Sequence, residues 1–197
     1  MSAPAHAAIL LAAGASRRLG RPKALVEIDG EPLVRRTARH LVATAPRVLI
    51  VVTGEAALGE RIDAALAGIA FTRVACPAWA QGMGASLRAG LDAAGTWPVA
   101  AALACPCDLP RLSTAHLDAL LAAWRADPHR AAACRYDGIV GAPAILPRAA
   151  FDAIARLDDR GARDWLRAQA DVAQIDAPAL AFDIDRPEDL PGHDAPR

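Results

Sequence analysis

Several things are missing from this sequence, and each absence excludes something. There is no charge bias: 22 Lys and Arg are matched by 22 Asp and Glu, for a formal net charge of zero. That removes the electrostatic footprint of a nucleic-acid or anionic-membrane binder. There is no apolar run of the roughly 20 residues that a membrane-spanning helix needs. The hydrophobic content is 54%, but alanine supplies much of it. The apolar stretch near the start has no charged segment before it and runs directly into a glycine loop, so a signal peptide is not expected. The four cysteines, Cys76, Cys105, Cys107 and Cys134, make no C-x-x-C pair, and no histidine cluster completes a zinc site. They are expected to be reduced and mostly buried, in a cytoplasmic protein. Finally, no Ser-His or Cys-His pair, internal repeat or interdomain linker stands out. Residues 1–197 therefore read as one α/β domain, with a core from about 7 to 191 and a tail over 192–197.

What is present begins with Leu11 to Lys23, LAAGASRRLGRPK. It follows Ala7-Ala8-Ile9-Leu10-Leu11, an apolar run of the right length for one buried strand. The loop then brings Gly14, Ser16, Arg17, Arg18, Gly20 and Lys23. Small residues let backbone N–H groups approach a phosphate, and Arg and Lys supply countercharge. The spacing is neither a P-loop nor the G-x-G-x-x-G dinucleotide fingerprint, because five residues separate Gly14 from Gly20. From spacing alone, a surface turn with solvated arginines is the alternative.

The chain then alternates. Val26-Glu27-Ile28 and the Asp29-Gly30 turn precede a helix opened by Pro32, with Leu33, Thr37 and Leu41 on one face and Val34, Ala38 and Val42 flanking them. Val48 to Val52 reads as a strand buried on both faces, Glu55 to Ala67 as a helix, and Phe71 to Val74 as a strand. Strand, helix, strand, helix, strand argues a parallel sheet. A Pro- and Gly-rich loop over 76–84 leads into a helix over Ala85–Ala94, with Ser86 in its first turn. Either a ligand faces this helix entry or Ser86 simply sits near its cap.

Val99 to Ala104 is another apolar strand, and it ends at Cys107-Asp108-Leu109-Pro110. An acid at the carboxyl end of a parallel strand is where open α/β sheets bind ligands. Such a carboxylate suits Mg²⁺, which favours one or two carboxylates plus phosphate oxygens. Ser113 caps a helix over Thr114–Ala126 whose core face is Leu117, Leu120, Leu121 and Trp124. A strand over Ala131–Tyr136, an extended stretch over 141–147 and a helix over Arg148–Leu157 follow, then Asp158 to Arg163. In that segment Arg160 and Arg163 either face an anionic ligand or pair with the neighbouring aspartates. The last strands are expected at Val172–Ile175 and Ala181–Ile184. In the second, Asp183 and Asp185 would share one face and repel unless a cation lies nearby. A final helix should start at Pro187.

Five segments in order carry a family resemblance: L-A-A-G-x-S-x-R-x-G-x-P-K, Gly82 to Leu91, Cys107-Asp108-Leu109-Pro110, Asp159 to Arg163, and Asp183 to Leu190. Together they resemble the nucleotidyltransferases related to molybdenum-cofactor guanylyl- and cytidylyltransferases. The resemblance implies a Rossmann-like three-layer α/β/α fold of GT-A type with a mostly parallel sheet. It implies that Gly14, Ser16 and Arg17 cradle the β- and γ-phosphates of a nucleoside triphosphate, and that Lys23 holds the α-phosphate. Asp108 and Asp183, the acid four residues before Pro187, would hold Mg²⁺, with Mn²⁺ as a substitute. Leu11, Ala12 and Ala13 with Gly82 and Ser86 would form the base pocket. Asp185, Arg160 and Arg163 would face the acceptor. The cytidylyl-type branch reads L-A-A-G where the guanylyl branch reads L-A-G-G, so Ala13 points to CTP. The implied acceptor is molybdopterin cofactor, and the implied downstream partner is a molybdoenzyme or its maturation chaperone. Transfer to a sugar phosphate or phospholactate-like acid, and cofactor carriage without chemistry, are the competing readings.

Overall fold

A computed structural model describes residues 3–14, 19–156, 162–182 and 184. The chain starts with β1 (His6–Leu11), then a tight hairpin of β2 (Glu27–Ile28) and β3 (Glu31–Pro32). Asp29 and Gly30 both take positive φ, 53° and 76°, which is the backbone a two-residue hairpin turn requires. Next come α1 (Leu33–Ala43), β4 (Val48–Thr53), α2 (Ala56–Ala65), β5 (Thr72–Ala75), α3 (Met83–Gly95) and β6 (Ala101–Pro106). The second half is α4 (Thr114–Ala126), β7 (Ala131–Tyr136), β8 (Ile139–Pro147), α5 (Phe151–Ala155), α6 (Ala162–Ala168) and β9 (Val172–Asp176). Among the described residues no helix is long and apolar enough to cross a membrane.

The main sheet runs β5-β4-β1-β6-β8-β7-β9. Strand β1 pairs in parallel with β4 and β6, and β4 with β5. Only β8 runs against its neighbours β6 and β7, because the Asp137-Gly138 turn reverses the chain after β7. The sheet is therefore mostly parallel, as the alternating pattern requires.

Strand alternation builds two cores. Ala8 and Leu10 of β1 meet α1, α2 and α4 through Val34, Leu41, Ile62, Leu117 and Trp124. Ala7, Ile9 and Leu11 meet α3, α5 and α6 through Leu87, Leu91, Phe151 and Leu166. Helices on both faces of one sheet give the three-layer α/β/α sandwich. Ser113 opens α4 as expected: its N–H donates to His116 Nδ1 at 3.2 Å, closing a capping box.

Four local expectations need correction. Pro32 closes β3 and serves as N-cap, so α1 begins at Leu33. Val42 is exposed, because the last turn of α1 rotates it off the core. Residues Arg148–Ala150 form a 3₁₀ turn, so the α-helix there starts only at Phe151. In the stretch Ala181–Ile184, Ala181 closes a 3₁₀ turn over Pro178–Ala181, and Phe182 and Ile184 carry no strand assignment; Asp183 lies outside the described residues. Beyond that turn, Ile184 is fully buried with Leu19, Val26, Ile28 and Leu33, and Phe182 packs beside it. The helix expected from Pro187 lies outside the described residues.

Gly90 sets the distance of α3 from the sheet. A Cβ there would stand 2.6 Å from Ile9 Cγ2 and 3.2 Å from Val52 Cγ2. Both contacts are to stiff β-branched side chains. Gly90→Ala gains up to about 1 kcal/mol of helix propensity but overpacks at a cost of about 1–3 kcal/mol. The expected outcome is a lower urea midpoint; an unchanged or higher midpoint contradicts the tight-packing account.

His6 starts β1 fully inside the protein, 3.0 Å from Thr44 Oγ1. Burial, helped by the Arg125 cation, lowers its pKa from 6.5 to about 4. The folded chain thus keeps His6 neutral while the unfolded chain takes up the proton. Stability from this group is complete above pH 6.5 and is lost as the pH falls towards about 4. The full loss is on the order of 3 kcal/mol. Urea midpoints should fall from about pH 7.5 to about pH 4.5, and His6→Phe should flatten that fall. An equal fall in the variant contradicts the assignment.

Candidate active site

The strand ends converge on one cleft. Strand β1 continues into Leu11-Ala12-Ala13-Gly14, and its pairing persists past the sheet's regular ladders. Ala12 N donates to Val52 O at 2.9 Å, and Cys107 N donates to Leu11 O at 3.2 Å. These bonds fix the two loops that follow β1 and β6 side by side. A cleft of about 330 Å³ opens there, lined by Leu11, Ala13, Gly14, Lys23, Gly82, Ser86 and Asp108 among others.

Lys23 is placed by its own turn. Pro22 holds φ at −61°, and Leu25 N donates back to Pro22 O at 3.0 Å, so residues 23–25 form a 3₁₀ turn. Ala24 is buried under that turn, which turns Lys23 towards the cleft. Its Nζ donates to Asp108 Oδ2 at 3.3 Å, across 85 residues of sequence. The side chains are only 15% and 25% exposed, so the pair is poorly screened by solvent.

The helix entry expected near Ala85 begins two residues earlier, at Met83. Gly82 precedes it with φ +125°, a conformation that favours glycine. Ser86 is buried in the first turn and lines the cleft. The N-terminal amides of α3 are thus directed at the same space.

A second cleft, of about 660 Å³, shares Leu11, Met83, Pro106 and Asp108 with the first. Its far walls are the β7–β8 hairpin, through Tyr136, Gly141 and Ala142, and α6, through Arg163 and Arg167. Tyr136 Oη donates to Ala142 O at 2.9 Å, which ties the hairpin together at this wall. Beside Asp108, the Arg111 guanidinium lies 4.6 Å from the centroid of the Phe182 ring. That cation–π contact holds the segment after β9 against the Asp108 turn.

The structure therefore brings Leu11, Ala13, Gly14, Lys23, Gly82, Ser86 and Asp108 together, and sets Arg163 across the adjoining cleft. It does not bring Ala12 in: that side chain belongs to the opposite core, with Leu10 and Val34. Ser16, Arg17, Arg160, Asp183 and Asp185 lie outside the described residues. Among the described residues no group of three or more His, Cys, Asp or Glu is placed to hold a metal. Asp108 is the cleft carboxylate, and its hard oxygens with room for phosphate beside them fit Mg²⁺ or Mn²⁺.

All four cysteines are buried as free thiols. Burial pushes the Cys107 thiol up, and the Asp108 carboxylate adds to the effect. Burial likewise raises Cys105, and raises Cys134 to about 12. Thiols held protonated in this way are poor nucleophiles.

Trp79, Met83, Tyr136 and Arg167 also line these clefts, and sequence reasoning missed them. The available signal was an aromatic in a Pro- and Gly-rich loop and two arginines one helical turn apart. Neither identifies a site without the fold.

Comparisons with known proteins bear on the family and the fold. A family model described as a MobA-like NTP transferase domain matches residues 8–173. A molybdenum cofactor guanylyltransferase of Rhodobacter capsulatus is 30% identical over 186 residues, 93% of this chain and 92% of that protein. A nicotine blue oxidoreductase of Paenarthrobacter nicotinovorans is 30% identical over 201 residues, 95% of each chain. Among solved structures, Rv0371c from Mycobacterium tuberculosis H37Rv superposes with a TM-score of 0.81 at 26% identity, covering 96% of both chains. A complex of Rv0371c with manganese gives a TM-score of 0.73 at 24% identity, over 94% of this chain and 95% of that one.

Proposed function

Because the chain belongs to the MobA-like NTP transferase family, we propose that it is a nucleotidyltransferase that moves CMP from CTP to the terminal phosphate of molybdopterin cofactor. The observation that carries this reading is the Lys23–Asp108 contact at the point where two clefts meet. One cleft takes the nucleotide, the other the acceptor, and the reacting phosphates lie between a cation and a carboxylate. We read the chain as one domain organised around that point.

The reaction needs no protein nucleophile. A phosphate oxygen of the acceptor attacks the α-phosphorus of CTP. The bond from that phosphorus to the oxygen bridging to the β-phosphate breaks, and pyrophosphate leaves. The protein positions the two partners and offsets their charge. Lys23 donates to the α-phosphate and stabilises charge that grows there in the transition state. Gly14 with Ser16 and Arg17 cradles the outer phosphates. Asp108, with Asp183, would hold a divalent ion, which supplies countercharge to the triphosphate when bound. Arg163 faces the anionic acceptor from α6, with Asp185 and Arg160 assigned to the same side.

The choice of CTP rests on Ala13. Its side chain lines the nucleotide cleft and is 4% exposed, so its methyl takes space from the base. A methyl group in a base pocket is worth about 1–3 kcal/mol of selectivity. GTP is the competing donor, since the Rhodobacter relative is named a guanylyltransferase.

Incubation with α-labelled CTP and molybdopterin cofactor should move the label onto the pterin. Label that stays in CTP or CMP contradicts the reading. Lys23→Ala and Asp108→Ala should each lower the rate by roughly 10²–10³-fold or more with native circular dichroism; near-wild-type transfer in either removes that residue from the mechanism. Ala13→Gly should shift the CTP/GTP ratio of kcat/KM towards GTP by about tenfold or more. An unchanged ratio removes Ala13 as the selector.

A further inference from the structure

Trp79 walls the nucleotide cleft, yet the mechanism above gives it no task. Backbone bonds build its seat. Cys76 N donates to Thr53 O at 2.8 Å, which ties the loop after β5 to the end of β4. Trp79 N donates to Cys76 O at 3.1 Å, and Gly82 N to Trp79 O at 3.2 Å, so residues 79–81 close a turn before α3. The indole then rests against Gly54. A Cβ at Gly54 would stand 2.8 Å from Trp79 Cγ, 3.0 Å from Trp79 Cδ2 and 2.5 Å from Ala13 O. Gly54 is not among the glycines with positive φ. What this position requires is space, not an unusual backbone.

We infer that Trp79, seated on Gly54, is the stacking platform for the nucleobase of the bound nucleoside triphosphate, and that Gly54 is its positioning residue. This inference rests on the nucleotide reading proposed above. Topology supports it first. Strand β1 lies between β4 and β6 in the sheet. Asp108 follows β6 and Trp79 sits over the end of β4, so they flank the end of β1 from opposite sides. A nucleotide lying across β1 with its phosphates at Lys23 and Asp108 brings its base to Trp79. Exposure supports it next. Trp124 is fully buried and donates Nε1–H to Pro128 O at 3.2 Å, whereas Trp79 packs on the core yet stays half-buried and lines the cleft. The chemistry also divides cleanly between neighbours. Every base has a π-face, so stacking adds affinity without choosing a base. The platform therefore serves CTP and GTP alike and leaves selection to Ala13.

The test is equilibrium binding of CTP, GTP and inorganic tripolyphosphate, with Mg²⁺, to the wild type and to Trp79→Phe, Trp79→Leu and Trp79→Ala. Leucine keeps apolar bulk without a ring; phenylalanine keeps a ring. The expected result is that Trp79→Ala and Trp79→Leu weaken both nucleotides by about 10–100-fold, that Trp79→Phe stays within about fivefold of wild type, and that tripolyphosphate affinity changes by less than about twofold throughout. Gly54→Ala should weaken both nucleotides as well; because its Cβ would also stand 2.5 Å from Ala13 O, beside the phosphate loop, the tripolyphosphate criterion applies to the Trp79 variants alone. If Trp79→Leu binds nucleotides as well as Trp79→Phe, Trp79 is only a space-filler and the inference is overturned. A parallel loss of tripolyphosphate overturns it too, because the platform touches no phosphate. If the wild type binds no nucleotide at all, the proposed function falls and this inference with it.

Discussion

The contact between Lys23 Nζ and Asp108 Oδ2 depends on almost everything else in the structure. The two residues follow different strands. They meet because β1 and β6 are adjacent, parallel and in register, with the pairing carried on by Cys107 N to Leu11 O. That pairing depends on two cores, one on each face of the sheet, which hold β1 at its centre. The pair is half-sheltered, so each charge lacks much of its hydration and is kept available to a charged ligand. A triphosphate beside Lys23 and a cation beside Asp108 would each replace the partner that the other residue now supplies.

Nucleotidyl transfer suits this arrangement because the chemistry asks for position and charge. The smaller cleft and its larger neighbour share Asp108, Leu11, Met83 and Pro106, so ligands in both would meet at one place. The walls differ in kind. The smaller cleft is built by glycines, small residues and the start of α3, where backbone donors come close. The larger cleft is built by a hairpin and a short helix carrying Arg163 and Arg167.

Much of the fold was legible because strand burial and helix periodicity are local signals. Val48–Val52 reads as a doubly buried strand and is one, and the Leu117–Trp124 face of α4 is core as its spacing requires. Lys23 and Asp108 could be singled out because an acid after a buried strand and a cation in a glycine loop are unusual choices, and the fold brings them to 3.3 Å. The misreadings had physical causes. Ala181–Ile184 alternates like a strand, but Pro178 starts a 3₁₀ turn that takes in Ala181, while Phe182 and Ile184 pack on a small cluster. Ala12 and Ala13 look equivalent in sequence, yet alternation continues past β1 and turns Ala12 into the opposite core. Trp79 and Gly54 were illegible because their relation is purely spatial. Nothing in either local sequence shows that one occupies the space the other leaves.

The central claim is that two phosphates meet between Lys23 and Asp108 and that pyrophosphate leaves. The most direct measurement is pyrophosphate release with each of the four nucleoside triphosphates and Mg²⁺, with and without molybdopterin cofactor. The account predicts release with CTP that depends on the cofactor. Nucleotide binding without pyrophosphate release, for every triphosphate and with the cofactor present, would contradict it.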